Sequence, residues 1–283
     1  MKKKLIAILS TACVLCLSAV LLAGCSGGGD SSAKSDGGDA AGSDAFTLIV
    51  GFDQSYPPYG YVGDDGEFTG FDLELAKAVC EKNGWSLQLE PIDWDAKDAL
   101  IGSGAINCIW NGFTMENRED DYTFSEPYMY NEQVVVVKKD SDMKSLEDLS
   151  GKIVITQVDS AALHVLEDDD AAAGGQAALA STFADLQQIG DYNNAFMQLE
   201  SGMVDAVACD LSIASYQMAA KPDVYVKLGM LSPEHYAVGF KKGDDDLAKQ
   251  VTDALKALNE DGTVKALCDK YADQGISYDN WTL

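Results

Sequence analysis

The chain has 283 residues, and its 46 acidic and 20 basic side chains give a formal net charge of −26. So acidic a surface repels nucleic acid and anionic lipid, which argues against functions that depend on either partner. The sequence has two histidines, and the cysteines after residue 25 form neither a CxxC motif nor a Cys/His spacing suited to zinc. We therefore expect no metal and no cofactor.

Residues 1–24 are typical of a signal peptide. The first stretch, MKKKLIAILSTACVLCLSAVLLAGC, has three lysines followed by an apolar run. The run ends in Leu-Ala-Gly-Cys, which resembles a bacterial lipobox and implies cleavage before Cys25 and a lipid on its sulfur. The alternatives are an ordinary cleaved signal peptide or a retained membrane anchor.

Residues 25–44 predict a flexible tether, because after the cysteine they are almost wholly Gly, Ser, Ala and Asp and cannot bury an apolar face. A lipid and a tether would hold a folded domain near a membrane without spanning it. We therefore expect an extracytoplasmic protein that is lipid-anchored to the cell membrane. The net charge of −26 becomes −29 once Lys2, Lys3 and Lys4 are removed.

Short strands and helices alternate along the rest of the chain, which predicts parallel sheets in an α/β fold. Apolar residues at helical spacing mark the helices, and short apolar runs mark the strands. A loop or frayed helix is expected at 167–180. Strands are predicted at 46–52, 86–91, 106–110, 134–139, 153–157, 204–208 and 236–241, and helical segments at 70–83, 95–101, 145–149, 192–199, 211–219, 247–258 and 264–271.

Four cysteines lie in this folded part of the chain. An even number outside the cytoplasm permits disulfides, but Cys108 and Cys209 lie inside apolar strands, which favours buried free thiols there. Cys80 and Cys268 lie in predicted helices.

Two segments of the chain match each other. LIGSGAINCIWNG (Leu100–Gly112) and QLESGMVDAVACD (Gln198–Asp210) share a helix end, a Ser-Gly pair and a strand in one register, with Asn107 opposite Asp205. Chance similarity of two helix–strand units is the alternative. A true repeat would give two similar α/β lobes, each with one of these segments at the carboxyl end of a strand, where open α/β sheets bind ligands.

Arg118, the only arginine in the sequence, follows the end of the predicted strand 106–110. A guanidinium group holds a carboxylate through two charge-assisted hydrogen bonds, and Thr114 in the intervening turn could complete a cradle for the anion. The alternative is a surface ion pair with Glu119 or Asp120.

Asp210 ends the matching strand in the second segment, where its carboxylate could accept hydrogen bonds from a ligand ammonium group. The alternative role is a cap for the helix at 211–219. An arginine and an aspartate that face each other across two lobes suit the zwitterionic end of an α-amino acid.

The loop 53–59, DQSYPPY, follows the first strand and is stiffened by its two prolines. Tyr56, Tyr59 and Trp110 offer flat faces that could clamp a ligand side chain. Asp53 could accept a hydrogen bond from that side chain. The alternative for this loop is a rigid turn packed on the core, in which Asp53 stabilises the turn.

Several segments together resemble the amino-acid branch of the bacterial extracellular solute-binding proteins, family 3, which serve ABC importers. They are FDQSYPPY, TGFDLELAKAV, WNGFTMENR, FSEPY, LEDLSGKIV and LESGMVDAVACD, in this order between Phe46 and Tyr271. The resemblance implies a type II periplasmic-binding-protein fold, in which two α/β lobes joined by two crossing strands, here 134–139 and 236–241, close on the ligand. It divides the chain into lobe one, at 45–134 and 235–283, and lobe two, at 135–234.

The resemblance also implies roles for individual residues. Carboxylate contacts would come from Arg118, Thr114 and Ser160, and ammonium contacts from Asp210 and the region of Asn111 and Gly112. Tyr56 would stack on the ligand side chain, Asp53 would meet its polar end and Gln157 would line the wall. One departure is the run Asp159-Ser160-Ala161, which stands where the family often has a Gly-Thr-Thr-like run.

The expected partners are a free amino acid and the permease subunits of an ABC importer, with the protein itself a monomer. Because Asp53 can accept hydrogen bonds, it favours a ligand side chain that donates them, as in glutamine or a basic amino acid. Cystine stays a further candidate because Trp110 adds an aromatic wall. We expect no enzymatic activity, because His164 and His235 both fall outside the predicted cleft. A component that presents its ligand to a separate receptor is the remaining alternative, besides an enzyme of this fold that acts on small carboxylic acids.

Overall fold

The computed structural model describes residues 46–283. The predicted signal peptide, the lipidation site Cys25 and the tether lie outside the described residues. Within residues 46–283, no helix is both long enough and apolar enough to cross a membrane.

The described residues form an alternating series of strands and helices. The strands are β1 Thr47–Phe52, β2 Ser55–Tyr56, β3 Gly60–Val62, β4 Phe68–Thr69, β5 Ser86–Pro91, β6 Cys108–Ile109, β7 Tyr122–Phe124, β8 Met129–Lys138, β9 Ile153–Gln157, β10 Asp185–Ile189, β11 Ala206–Asp210, β12 Tyr225–Tyr236 and β13 Gly239–Lys241. The α-helices are α1 Phe71–Asn83, α2 Lys97–Ser103, α3 Ala161–Glu167, α4 Ala177–Ala180, α5 Tyr192–Ser201, α6 Leu211–Ala220, α7 Asp245–Glu260 and α8 Thr263–Lys270, and short 3-10 helices lie at Trp94–Ala96, Leu146–Leu149, Ala272–Gln274 and Tyr278–Asn280.

Two five-stranded mixed sheets define two lobes. The first sheet has the order β5-β1-β6-β13-β7 and the second β10-β9-β11-β8-β12. In each sheet three neighbouring strands are parallel. They are β5, β1 and β6 in the first sheet and β10, β9 and β11 in the second. A small third sheet, β2-β3-β4, follows the end of β1. The predicted α/β architecture with parallel pairs is confirmed.

The apolar stripes predicted for the helices face the core. Phe71, Leu75 and Val79 of α1 are fully buried, and α1 ends at the left-handed Gly84. The stripe of α5 is also buried. The thiols of Cys80, Cys108, Cys209 and Cys268 are free and buried, which confirms the expectation for Cys108 and Cys209.

The structure supports the internal repeat at the level of single hydrogen bonds. Asn107 Oδ1 accepts from the backbone N–H of Ile49 at 2.7 Å, and Asp205 Oδ2 accepts from that of Ile153 at 2.8 Å. Helices α2 and α5 both end at a serine followed by a left-handed glycine. The two helix–strand units therefore place their following loops at equivalent sheet edges. In the first of these units, the strand predicted at 106–110 is shorter than expected: β6 pairs with β1 only through Cys108 and Ile109.

The long antiparallel strands β8 and β12 belong to the second sheet and pair along most of their length. The chain passes from the first sheet to β8 after Phe124 and returns from β12 to β13 after Tyr236. The apolar strand predicted at 134–139 is the second half of β8, which ends at Lys138, and Val134–Val137 are fully buried there. The lobe boundaries given above stay a prediction.

Candidate ligand-binding site

A small cavity lies where the two lobes meet, beyond the carboxyl ends of the central strands. First-lobe loops and second-lobe loops both contribute to its wall. The lining residues are Tyr56, Trp94, Asn111, Gly112, Thr114, Arg118, Gln157, Ser160, Ala161 and Asp210. Most of the residues predicted to contact a ligand are thus brought together, although they come from separate parts of the chain.

Arg118 is buried, with 5% of its surface exposed, yet it takes part in none of the ion pairs among the described residues. Its guanidinium group donates to two backbone oxygens, Thr114 O at 3.1 Å and Asp159 O at 3.4 Å, and lies 4.8 Å from the centre of the Phe113 ring. The alternative of a surface ion pair is therefore wrong. A buried cation without a counter-ion creates a strong preference for an anion in the cavity.

Asp210 lies on the opposite wall, at the end of β11. Its Oδ1 accepts hydrogen bonds from Gln133 Nε2 at 2.7 Å, Tyr236 Oη at 3.0 Å and Asn131 Nδ2 at 3.2 Å. Asp210 occupies the cap position of α6, but its side chain makes no capping hydrogen bond. The capping role considered for it is therefore wrong, and the carboxylate is held by side chains of β8 and β12 instead.

Glu234 of β12 is a buried carboxyl group that the sequence analysis missed. Its Oε1 accepts from Asn131 Nδ2 at 2.6 Å, Gln133 Nε2 at 2.9 Å and Thr114 Oγ1 at 3.0 Å. Burial raises the pKa of Glu234 well above its usual range, and the charge of Asp210 adds to the effect. The available signal was its position two residues before Tyr236, on the same face of the strand.

The tyrosines of the loop 53–59 divide between the cavity and the core. Tyr56 lines the cavity and meets Tyr192 of the second lobe at 6.1 Å between ring centres. Tyr59 packs behind it, 5.8 Å from the Phe71 ring and 5.2 Å from the Tyr236 ring. The structure therefore gives Tyr59 the core-packing role that was considered as the alternative.

The tryptophan on the cavity wall is Trp94, and Trp110 does not lie there. Trp110 is fully buried against Tyr128 of its own lobe, with 6.5 Å between ring centres. Trp94 donates from Nε1 to Asp159 O at 3.1 Å, which joins the two lobes. Because Trp94 lies three residues after the end of β5, a parallel strand, its position near a strand's carboxyl end was the signal that could have found it.

Asp53 and Gln157 contact each other across the lobes. Gln157 Nε2 donates to Asp53 Oδ2 at 2.8 Å, and the Ser55 N–H donates to Asp53 Oδ1 at 2.7 Å. Gln157 lines the cavity, whereas Asp53 lies behind it in a neighbouring groove with Asp93 and Asp191. Burial raises the pKa of Asp53 in spite of these hydrogen bonds.

Ser160 begins helix α3, and its Oγ accepts from the Leu163 N–H at 3.1 Å. Its hydroxyl also lies 3.1 Å from Thr156 Oγ1. The preceding residue, Asp159, has a left-handed backbone with φ of 54°, a conformation that favours glycine. The side chain of Asp159 has ionic partners in Lys97 and His164.

Those partners form an ion pair between the lobes. The ammonium group of Lys97, on α2 of the first lobe, pairs with Asp159 of the second lobe and lies 5.1 Å from the Trp94 ring. The side chain of Lys97 is 2% exposed and that of Asp159 32%. Burial lowers the pKa of Lys97, whereas the hydrogen bonds from His164 and Lys97 outweigh burial and hold the pKa of Asp159 below its usual range.

Lys97→Met is expected to weaken ligand binding about five- to thirtyfold, because the ion pair forms only when the lobes are closed. The pair is half-buried, so we place its contribution at ~1–2 kcal/mol, between those of exposed and buried pairs. Titration calorimetry measures the change, with the exposed Lys249→Met of α7 as the matched control. An affinity equal to that of the parent protein would show that the ion pair does not stabilise closure.

Asp72 supports the cavity from behind and was not predicted as a site residue from the sequence. It is fully buried and accepts from the Gly112 N–H at 2.6 Å and from Tyr128 Oη at 2.7 and 2.8 Å. Burial raises its pKa to about 7 in spite of these hydrogen bonds. Asp72 thus fixes the turn that carries Asn111 and Gly112 on the cavity wall.

The two histidines lie away from the cavity wall. His164 Nε2 is 3.1 Å from Asp159 Oδ1, and His235 Nδ1 is 2.8 Å from Glu116 Oε1. Among residues 46–283, no cluster of three or more His, Cys, Asp or Glu side chains could hold a metal ion.

Comparison with known families identifies the chain. The family model of the bacterial extracellular solute-binding proteins, family 3, matches residues 48–274. The chain belongs to this family. Because the family consists of solute-binding proteins, the interpretation as a binding protein rather than an enzyme is confirmed.

Individual members of the family are similar over most of their length. The L-cystine-binding protein TcyJ of Escherichia coli strain K12 is 30% identical over 229 residues, which cover 80% of this chain and 82% of that protein. A Streptococcus pneumoniae ABC uptake transporter substrate-binding protein with bound histidine superposes with a TM-score of 0.76 and 32% identity, covering 82% of this chain and 94% of that one. An ancestral arginine-binding protein bound to arginine superposes with a TM-score of 0.71 and 32% identity, and the match covers 81% of this chain and 99% of that one. These structures confirm the two-lobed periplasmic-binding-protein fold.

Proposed function

We propose that this protein binds a polar α-amino acid between its two lobes and delivers it to an ABC importer. The observation that carries the proposal is the buried Arg118, which has no ion-pair partner among the described residues, on a cavity whose other wall holds Asp210. A cation and a carboxylate on opposite walls match the two charges of a zwitterion. The relatives named above, which bind cystine, histidine or arginine, support the same class.

In this proposal the ligand carboxylate pairs with Arg118, and Ser160 and Thr114 border the same part of the cavity. The ammonium group faces Asp210. Asn111 supplies further polar contacts, since both its amide atoms are buried without a hydrogen-bond partner among the described residues. A buried amide without partners is costly, so a ligand that pairs with it gains affinity.

The ligand side chain would extend past Tyr56 and Trp94 toward Gln157 and Asp53. Asp53 lies among other carboxylates, so it favours a side chain that donates hydrogen bonds or carries positive charge. We therefore propose glutamine, a basic amino acid or cystine, whose second ammonium group would serve the same contact.

A thermal-shift screen of the purified protein against the twenty amino acids and cystine tests the function. A ligand that binds only the folded state adds RT ln(1 + [L]/Kd) to the free energy of unfolding, about 2.7 kcal/mol at a concentration 100 times Kd, and so raises the melting temperature. We expect one or a few polar amino acids to raise it clearly. No shift from folded, ligand-free protein would contradict the proposal.

We further propose that Cys25 carries a lipid and that residues 25–44 tether the binding domain to the outer face of the cell membrane. The lipobox-like run before Cys25 supports this, and the family is extracellular. Cys25→Ser is expected to abolish incorporation of a radiolabelled fatty acid and to move the protein into the soluble fraction. Unchanged labelling in the variant would exclude Cys25 as the attachment site.

A further inference from the structure

Two carboxyl groups share one set of hydrogen-bond donors behind the proposed ammonium position. Asn131 Nδ2 lies 3.2 Å from Asp210 Oδ1 and 2.6 Å from Glu234 Oε1. Gln133 Nε2 lies 2.7 Å from the first oxygen and 2.9 Å from the second. The two carboxyl groups are therefore neighbours, bridged by the same two amides of β8.

Among the described residues, no cation balances this pair. Asp210 is 4% exposed and Glu234 3%, and neither belongs to any ion pair among residues 46–283. Arg118 donates to Thr114 O rather than to either carboxyl group. The other titratable groups around the pair are uncharged at neutral pH or engaged elsewhere: Tyr56, Tyr59, Tyr192, Tyr236 and Cys209, with His235 paired to Glu116 and Glu132 paired to Lys227.

Two carboxylates that share a buried site do not both ionise, because each charge loses its hydration and repels the other. A bound zwitterion does not change this balance. Its carboxylate would neutralise Arg118 and its ammonium group would neutralise Asp210, so a charge on Glu234 would still have no partner. The closed site therefore accommodates one negative charge and one proton on the two carboxyl groups.

Opening of the lobes would change the surroundings of the pair. Tyr56, Thr114 and Asp210 line the cavity, and the Tyr56 ring of the first lobe lies 6.1 Å from the Tyr192 ring of the second lobe. When the lobes separate, water reaches this wall and hydrates the pair, which returns Glu234 toward the ordinary behaviour of a glutamic acid.

We propose that Glu234 is a proton-binding site coupled to the ligand site, so that closure on an amino acid takes up one proton from solution. This inference rests on the proposed function. It makes Glu234 a positioning residue: its neutral form lets Asp210 keep its charge for the ammonium group, while its Oε1 accepts from Thr114 across the junction of the lobes.

Ligand affinity is expected to decrease as pH rises. The closed form binds its proton more tightly than the open form, so closure is favoured at low pH and is weakened as pH rises. Affinity should fall by up to about tenfold per pH unit above the ordinary pKa of glutamic acid, about 4.3, until the pH passes the raised pKa of the closed form.

Titration calorimetry at pH 7 in phosphate and in Tris, which differ in ionisation enthalpy, measures the protons taken up. L-arginine, L-lysine, L-histidine, L-glutamine and L-cystine are the probes. We expect uptake of about one proton per bound ligand in the parent protein. Binding of any probe without proton uptake would overturn this inference and leave the proposed function intact, whereas no binding of any probe would overturn both.

Glu234→Gln keeps the size of the side chain and its hydrogen-bond acceptor but cannot exchange a proton. Proton uptake is expected to vanish in this variant, and its affinity should become nearly independent of pH between 5.5 and 7.5. Glu132→Gln, on the neighbouring strand β8, is the matched control and should retain the uptake. Uptake that persists in Glu234→Gln would assign the proton to another group, and the two-buffer measurement on the parent protein decides the inference even if the variant does not fold.

Discussion

Arg118→Ala is expected to weaken amino-acid binding by about two to four orders of magnitude. The guanidinium group would lose its charge-assisted contacts with the ligand carboxylate, and breaking a buried ion pair costs ~3–5 kcal/mol. Arg118→Lys keeps the charge but loses the planar fork, so an intermediate loss is expected. Titration calorimetry with the amino acid found in the thermal screen measures both variants.

The ligand-free stability of these variants separates a binding role from a structural one. Arg118 has no ion-pair partner in the described residues but donates to two backbone oxygens, so its removal should change the unfolding free energy of the ligand-free protein by less than the ~3–5 kcal/mol lost from binding. Lys249→Ala, an exposed charge removal on α7, is the control and should bind as the parent does. Parent-like affinity in Arg118→Ala would mean that the carboxylate site lies elsewhere.

Asp210→Ala is the second large effect, with an expected loss of about ten- to a thousandfold in affinity. The ammonium group would lose its counter-ion, and Gln133, Asn131 and Tyr236 would lose a shared acceptor. Asp210→Asn should lose less, because an amide oxygen still accepts a hydrogen bond and the neighbouring Glu234 no longer has a charged neighbour that opposes its ionisation.

Asp246→Asn is the matched control for Asp210→Asn, since Asp246 is exposed at the start of α7. Its affinity should equal that of the parent protein. If Asp210→Ala and Asp246→Asn had the same affinity, the assignment of the ammonium position to Asp210 would have to be abandoned.

Local pattern was sufficient to predict most of the fold. The strands predicted at 86–91 and 153–157 coincide with β5 and β9, and the match between Asn107 and Asp205 predicted equivalent positions in two lobes. These features depend on hydrophobic periodicity and on residues close in sequence, both of which a single sequence displays. The end of β6 was placed too late, because strand ends depend on pairing partners.

Candidate site residues could be predicted from the sequence where the residue type and its position after a strand together indicate one kind of ligand contact. Arg118 and Asp210 were predicted in this way and line the cavity, while their contacts with a ligand stay a prediction. Trp94 and Trp110 have the same chemistry, and only the tertiary packing decides which one reaches the cavity. Asp72 and Glu234 were missed for a related reason. The chain has 46 acidic residues, and the sequence alone does not distinguish a buried carboxyl group from the many exposed ones.

The central claim is that one site binds both the carboxylate and the ammonium group of an α-amino acid. Titration with matched analogues tests this claim most directly. The amino acid from the screen is compared with its decarboxylated amine and with its Nα-acetyl derivative. Loss of either charge should remove one of the two pairs, so both analogues are predicted to bind at least about a hundredfold more weakly. An analogue that bound as tightly as the parent amino acid would contradict the claim, because the group it lacks could not be paired with Arg118 or Asp210.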